Sequence, residues 1–140
     1  MSRLAAVLLF CLAAAFAGSP AVAQDAASPA IRSVIQDQLG AFTKDDAAGA
    51  FGYASPGIQR MFGTPEIFMD MVRQGYPPVH RPKSFAFGAL RQEPHGPVQE
   101  VIITDAAGTQ WLALYSMELQ PDGTWKISGC SLVKAPPNTA

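Results

Sequence analysis

The chain has 140 residues, 49% of them hydrophobic and 15% charged, and a formal net charge of −1. That balance excludes a protein that grips nucleic acid through an excess of Lys and Arg, and no basic cluster suggests a membrane surface. The two histidines, His80 and His95, stand in proline-rich segments with no cysteine or further histidine at ligand spacing, so no metal site is expected.

Met1-Ser2-Arg3 makes a short positive start, and residues 4–18 then carry no charge and are rich in Leu, Ala and Phe. Ala21-Val22-Ala23 is a small-x-small site of the kind signal peptidase accepts. The apolar run is about 15 residues long, short of the ~20 that span a bilayer. Residues 1–23 are therefore expected to be a secretory signal cut after Ala23. The product would be periplasmic or secreted, with no membrane attachment. Cys11 leaves with the signal, so Cys130 remains as a single cysteine without a partner in its own chain. It is expected to be a small buried residue, with a reactive thiol or an intermolecular disulfide as the alternatives.

Residues 24–30 read as a flexible lead-in, 31–134 as one domain and 135–140 as a tail. Ser28-Pro29, Ser55-Pro56 and Thr64-Pro65 each place a capping hydroxyl before a proline, which predicts three helix starts. The first helix is expected over 29–43, with Ile31, Val34, Ile35, Leu39 and Phe42 on one face. Asp45 or Asp46 caps a second helix through Tyr53, weakened by Gly49 and Gly52. A short helix over 56–62 ends at Gly63. Another runs from Thr64 through Phe68, Met71 and Val72 to Gly75. Residues 76–82, with three prolines, read as an extended linker.

After the linker the apolar period changes from 3.6 to 2. Strands are expected over 84–91, 98–105, 109–120 and 124–134, the last two joined by the Pro121-Asp122-Gly123 turn. In the third strand Trp111, Ala113, Tyr115, Met117 and Leu119 share one face, and Leu112 and Leu114 the other. A strand apolar on both faces is covered on both, by helices on one side and by a partner or a curled sheet on the other. Helices first and a meander after is an α+β pattern: N-terminal helices packed on a curved antiparallel β-sheet.

This order resembles the nuclear-transport-factor-two-like cone fold shared by ketosteroid isomerases and polyketide cyclases. More narrowly, residues 31–133 resemble a bacterial family known as domain of unknown function 4864. The likeness is carried by Val34-Ile35-Gln36-Asp37-Gln38-Leu39, Tyr53-Ala54-Ser55-Pro56-Gly57-Ile58-Gln59, Gly75-Tyr76-Pro77-Pro78-Val79, Trp111-Leu112-Ala113-Leu114-Tyr115 and Asp122-Gly123-Thr124-Trp125-Lys126-Ile127-Ser128-Gly129-Cys130. The family implies a fold and no activity.

No Gly-x-Ser-x-Gly elbow and no glycine-rich phosphate loop is present. Acid–base chemistry in an apolar cavity would have to draw on Asp70, Tyr53, Tyr76, Tyr115 or His80. Asp70 reads as a solvated helix residue and His80 as an exposed loop residue. The candidate pocket-lining residues are Tyr53, Phe68, Tyr76, Trp111 and Tyr115, with no catalytic residue and no cofactor assigned. The leading expectation is an exported non-enzymatic module that binds an apolar small molecule or an envelope protein, with a homodimer formed through the sheet. A small cofactor-free enzyme of isomerase or cyclase type is the alternative. An accessory subunit of an envelope complex is a third reading.

Overall fold

The computed structural model describes residues 20–135, with side chains from residue 28. The expected signal therefore falls mostly outside the described residues, as does the tail over 136–140. The first helix, α1 (Pro20–Thr43), buries Ile31, Ile35, Leu39 and Phe42 and turns Arg32, Gln36 and Asp37 to solvent, as the apolar spacing predicts. It begins well before Pro29, so Ser28-Pro29 does not start it, and helical backbone runs through the expected lead-in. The residues before Pro29 are alanine-rich, and alanine is the strongest helix former. Pro29 removes one hydrogen bond from that run without ending it.

Three further helices start as their caps dictate. Asp46 accepts from Gly49 N at 3.0 Å and caps α2 (Ala47–Gly52). A Cβ on Gly49 would meet that carboxylate, so the Asp46 side chain would have to shift to admit one. Asp45 before it takes the left-handed φ of 54° that closes α1, a conformation Asp tolerates better than most residues. Ser55 accepts from Ile58 N at 3.3 Å to open α3 (Pro56–Phe62), and Thr64 accepts from Ile67 N at 3.2 Å to open α4 (Pro65–Gly75). The expected extended linker is instead partly helical: α5 (Pro77–His80) is a single turn with prolines at its start. Proline cannot continue a helix, but its fixed φ and missing donor suit the first positions of one.

The strands β1 (Ser84–Glu93), β2 (Gly96–Thr104), β3 (Gln110–Leu119) and β4 (Trp125–Lys134) form one open antiparallel sheet in sequence order. Two bulges bend it. Phe87 pairs with Val101 and Leu90 with Gln99, so Gly88 and Ala89 share one partner, Glu100. On the far side Ser116 pairs with Gly129 and Met117 with Ile127, which leaves Ser128 as the extra residue of β4.

One face of the sheet meets the helices. Val101 and Ile103 of β2, Ala113, Tyr115 and Met117 of β3 and Ile127 of β4 are buried there with the α1 residues. Trp111 and Leu119, at the ends of the same face, are less covered. On the opposite face Ile102, Leu112 and Leu114 are partly exposed and Val133 is 51% exposed. This is an α+β architecture of helices packed on a four-stranded open sheet.

Two polar links hold the helical layer in place. The chain between α2 and α3 joins the edge of β4: Ser55 N donates to Ile127 O at 2.8 Å, and Ile127 N to Tyr53 O at 2.9 Å. At the α1–α2 corner the Asp45 carboxylate meets His80 Nε2 at 3.0 Å, Arg73 at 3.2 Å and Arg81 at 2.6 Å. That carboxylate ties the ends of α4 and α5 to α1.

Candidate functional site

The packing leaves a cavity of about 270 Å³ where α3 and α4 approach the bulged strand β4. Its walls follow from local structure. The short α3 brings Ile58, Met61 and Phe62; α4 brings Phe68, Met71 and Val72. Phe42 and Gln38 reach it from α1, and Tyr115, Ile127 and Cys130 from the sheet. Met61, 75% exposed, stands at the mouth. Phe68 is the aromatic hub of the wall, with ring centroids of Phe42, Phe51 and Phe62 at 6.0, 5.5 and 5.8 Å.

The polar groups are few and mostly engaged. Gln38 Nε2 donates to Ala50 O at 3.1 Å. Tyr76, at the end of α4, donates its hydroxyl to Cys130 O at 3.1 Å and so bridges helix and strand along one side of the cavity. Tyr115 is fully buried, and its hydroxyl has no partner in hydrogen-bond geometry. Cys130 sits directly across from it on β4. Burial pushes the Tyr115 phenol well above its usual value, with the Cys130 thiol adding to the rise. Burial pushes the Cys130 thiol up to about 12, against a lowering influence of the Tyr115 hydroxyl. The two groups therefore influence each other's titration without forming a bond of good geometry.

Of the residues singled out from sequence, the cavity brings together Phe68, Tyr76 and Tyr115. Tyr53 and Trp111 are absent from its lining. Tyr53 offers its backbone carbonyl to β4, and the Trp111 indole donates to Asp105 Oδ2 at 2.9 Å, locking the β2–β3 turn. Asp70 is exposed and pairs with Arg73 at 3.1 Å. His80, expected in an exposed loop, has only 13% of its side chain exposed and is held by Asp45. The prolines that suggested a loop instead start the turn of helix that carries it.

Ile58, Met61 and Met71, from the apolar helical region, line the cavity beyond the five named candidates, and Gln38 and Cys130 join them without having been expected there. For Gln38 a signal existed: it is a polar residue on the apolar face of α1, between Ile35 and Phe42. Among the described residues no three His, Cys, Asp or Glu side chains group as a metal site. A second concavity of about 320 Å³ lies between α5 and the β2–β3 turn. Its Asp105 carboxylate is already taken by Ala107 N, Thr109 N and Trp111.

Among the described residues no helix is long and apolar enough to cross a membrane. A family model described as "Domain of unknown function (DUF4864)" matches residues 24–140. No curated protein matches the chain, and no solved structure does.

Proposed function

We propose that this chain, which belongs to the DUF4864 family, is an exported non-enzymatic module that holds a small apolar molecule in the cavity beside β4. The observation that carries the reading is the cavity itself. Beside a core in which Ile31, Ile35, Val101, Ile103 and Ala113 are fully buried, α3, α4 and β4 leave an apolar concavity between them. Its volume is at the lower edge of the ~300–1,000 Å³ usual for ligand pockets, which suits a small ligand. Methionines at the mouth and wall, Met61 and Met71, let such a pocket adapt.

An isomerase or cyclase would need a general base beside its substrate. The ionisable groups in this lining are Tyr76, Tyr115 and Cys130. Tyr115 and Cys130 are shifted upward, away from the range useful to a base or nucleophile near neutral pH. Export rests on the uncharged run over 4–18 and the Ala21-Val22-Ala23 site, and it sends the mature protein to the periplasm or the medium. The order of helices and then meander supports a cone-like relation to the nuclear-transport-factor-two-like proteins. The partly exposed Ile102, Leu112, Leu114 and Val133 favour a second reading, contact with an envelope protein or a second copy through the outer sheet face.

Native mass spectrometry of the protein purified from its own compartment tests the proposal. The expected species is a chain starting at Gln24 with one small molecule that is lost on denaturation. Ile58→Trp, which fills the cavity, should arrive without it. A wild-type protein recovered only at its bare mass would refute the binding reading.

A further inference from the structure

Among the described residues two buried side-chain atoms have no hydrogen-bond partner: the Tyr115 hydroxyl and Oε1 of Gln99. The two residues sit directly opposite each other, Gln99 on β2 and Tyr115 on β3. Buried polar groups nearly always have partners, because a group that gives up water and gains nothing is costly. Tyr115 lines the cavity and Gln99 does not. The amide of Gln99 is held by its nitrogen, which donates to the carbonyls of Gly88 and Glu100 at 3.1 and 2.9 Å.

Two other polar side chains of this lining, Tyr76 and Gln38, are already engaged. Cys130 O takes the Tyr76 hydroxyl, and Ala50 O takes Gln38. The Cys130 thiol is a weak acceptor. The buried Tyr115 hydroxyl thus remains a donor without a partner, on a residue that lines an apolar space. That space is lined by no Lys, Arg, His, Asp or Glu, so a charged ligand would be buried without a counter-charge.

We propose that the ligand carries a neutral hydrogen-bond acceptor, a ketone, aldehyde, ester or amide carbonyl, and that Tyr115 donates its hydroxyl proton to it. This rests on the reading of the cavity as a ligand site. Because burial raises the phenol's pKa, Tyr115 keeps that proton throughout the physiological range. Phe68 and Met71 supply the apolar wall against the ligand's hydrocarbon part. The Tyr76 hydroxyl, spent on β4, holds the strand rather than the ligand.

A matched probe pair tests the inference: acetophenone and α-methylstyrene, nearly identical in shape, with the carbonyl oxygen replaced by a methylene. Each is titrated into the signal-free protein and into Tyr115→Phe, with binding followed by NMR shifts. The wild type should bind acetophenone about ten-fold more tightly than α-methylstyrene, the size expected for one buried hydrogen bond. Tyr115→Phe should abolish the difference by weakening acetophenone alone. Equal binding of both probes to the wild type overturns the inference and leaves the cavity as a plain apolar site. A preference for acetophenone that survives Tyr115→Phe overturns the role of Tyr115. No binding of either probe at millimolar concentration overturns the cavity reading itself. The urea midpoint of ligand-free Tyr115→Phe adds an independent check. It should not fall, since no bond is lost; a fall would mean that Gln99 already satisfies the hydroxyl and the ligand is not needed.

Discussion

Phe68→Ala is the substitution that best tests how the helical layer is held. The Phe68 ring is 5% exposed and contacts Phe42, Phe51 and Phe62, with centroids between 5.5 and 6.0 Å away. Those rings belong to α1, α2 and α3, so one side chain of α4 joins all three. Truncating a buried Phe to Ala costs ~3–5 kcal/mol in transfer and cavity terms, and each aromatic pair contributes ~0.5–1.5 kcal/mol of that kind of packing. The deleted ring, however, borders a cavity that is already open, so water and the flexible Met61 and Met71 can enter the new space. The lower end applies, about 3 kcal/mol, equivalent to roughly 10–15 °C in melting temperature for a domain of this size. Urea denaturation followed by fluorescence of Trp111 and Trp125, both in the sheet, reads it. Met61→Ala, at an exposed position on the same cavity, is the control and should stay within about 0.5 kcal/mol of wild type. A Phe68→Ala loss under about 1 kcal/mol, or one no larger than the control, would refute the hub.

Three other outcomes follow from the same packing. Thr64→Ala removes the α4 cap and should lower stability by about 1 kcal/mol in the same denaturation assay, whereas Thr64→Ser should recover it. The Asp45 carboxyl is held below the ordinary 3.8, first by its hydrogen bond to His80 and then by Arg73 and Arg81. A lowered folded-state pKa gives stability that is fully present above 3.8 and lost as pH falls below it toward the folded value. Asp45→Asn should therefore flatten the acid limb of the stability profile below pH 4, and an unchanged limb would exclude that role. Cys130 is only half-buried, not the fully buried residue expected from sequence, but its thiol is pushed up to about 12. It should therefore react with a thiol reagent at pH 8 far more slowly in the native protein than after unfolding, and rapid native labelling would contradict that raised pKa.

What could be read from sequence followed the range of the interaction concerned. Ser55 and Thr64 cap helices because the capping bond closes within three residues, and the β3 alternation put Tyr115 and Met117 inside because period 2 is local. Ser28-Pro29 carries the same signature but lies within a helix, because an alanine-rich run before it is itself helical. The Pro77-Pro78 pair starts a turn of helix rather than an extended linker, because proline at the first positions of a helix costs it no hydrogen bond. The cavity was half legible. Phe68, Tyr76 and Tyr115 are apolar or amphipathic residues on inward faces, and so were Tyr53 and Trp111. Which of them border empty space depends on the bulge at Ser128 and the Tyr53–Ser55 bridge to Ile127, and no local pattern announces either.

The same bulges and bridge bear on how the protein behaves when crowded. An open sheet has two edge strands, and unpaired edges recruit other chains into extended aggregates. Here β1 is kinked at Gly88 and Ala89 and carries Arg91 and Glu93 toward its end, so it makes a poor template for a straight incoming strand. At the other edge the backbone of Tyr53 and Ser55 already occupies β4 at Ile127, and Tyr76 takes the carbonyl of Cys130. Strand-to-strand growth is therefore hindered along part of each edge, by the kink in β1 and by the occupied backbone of β4 at Ile127 and Cys130.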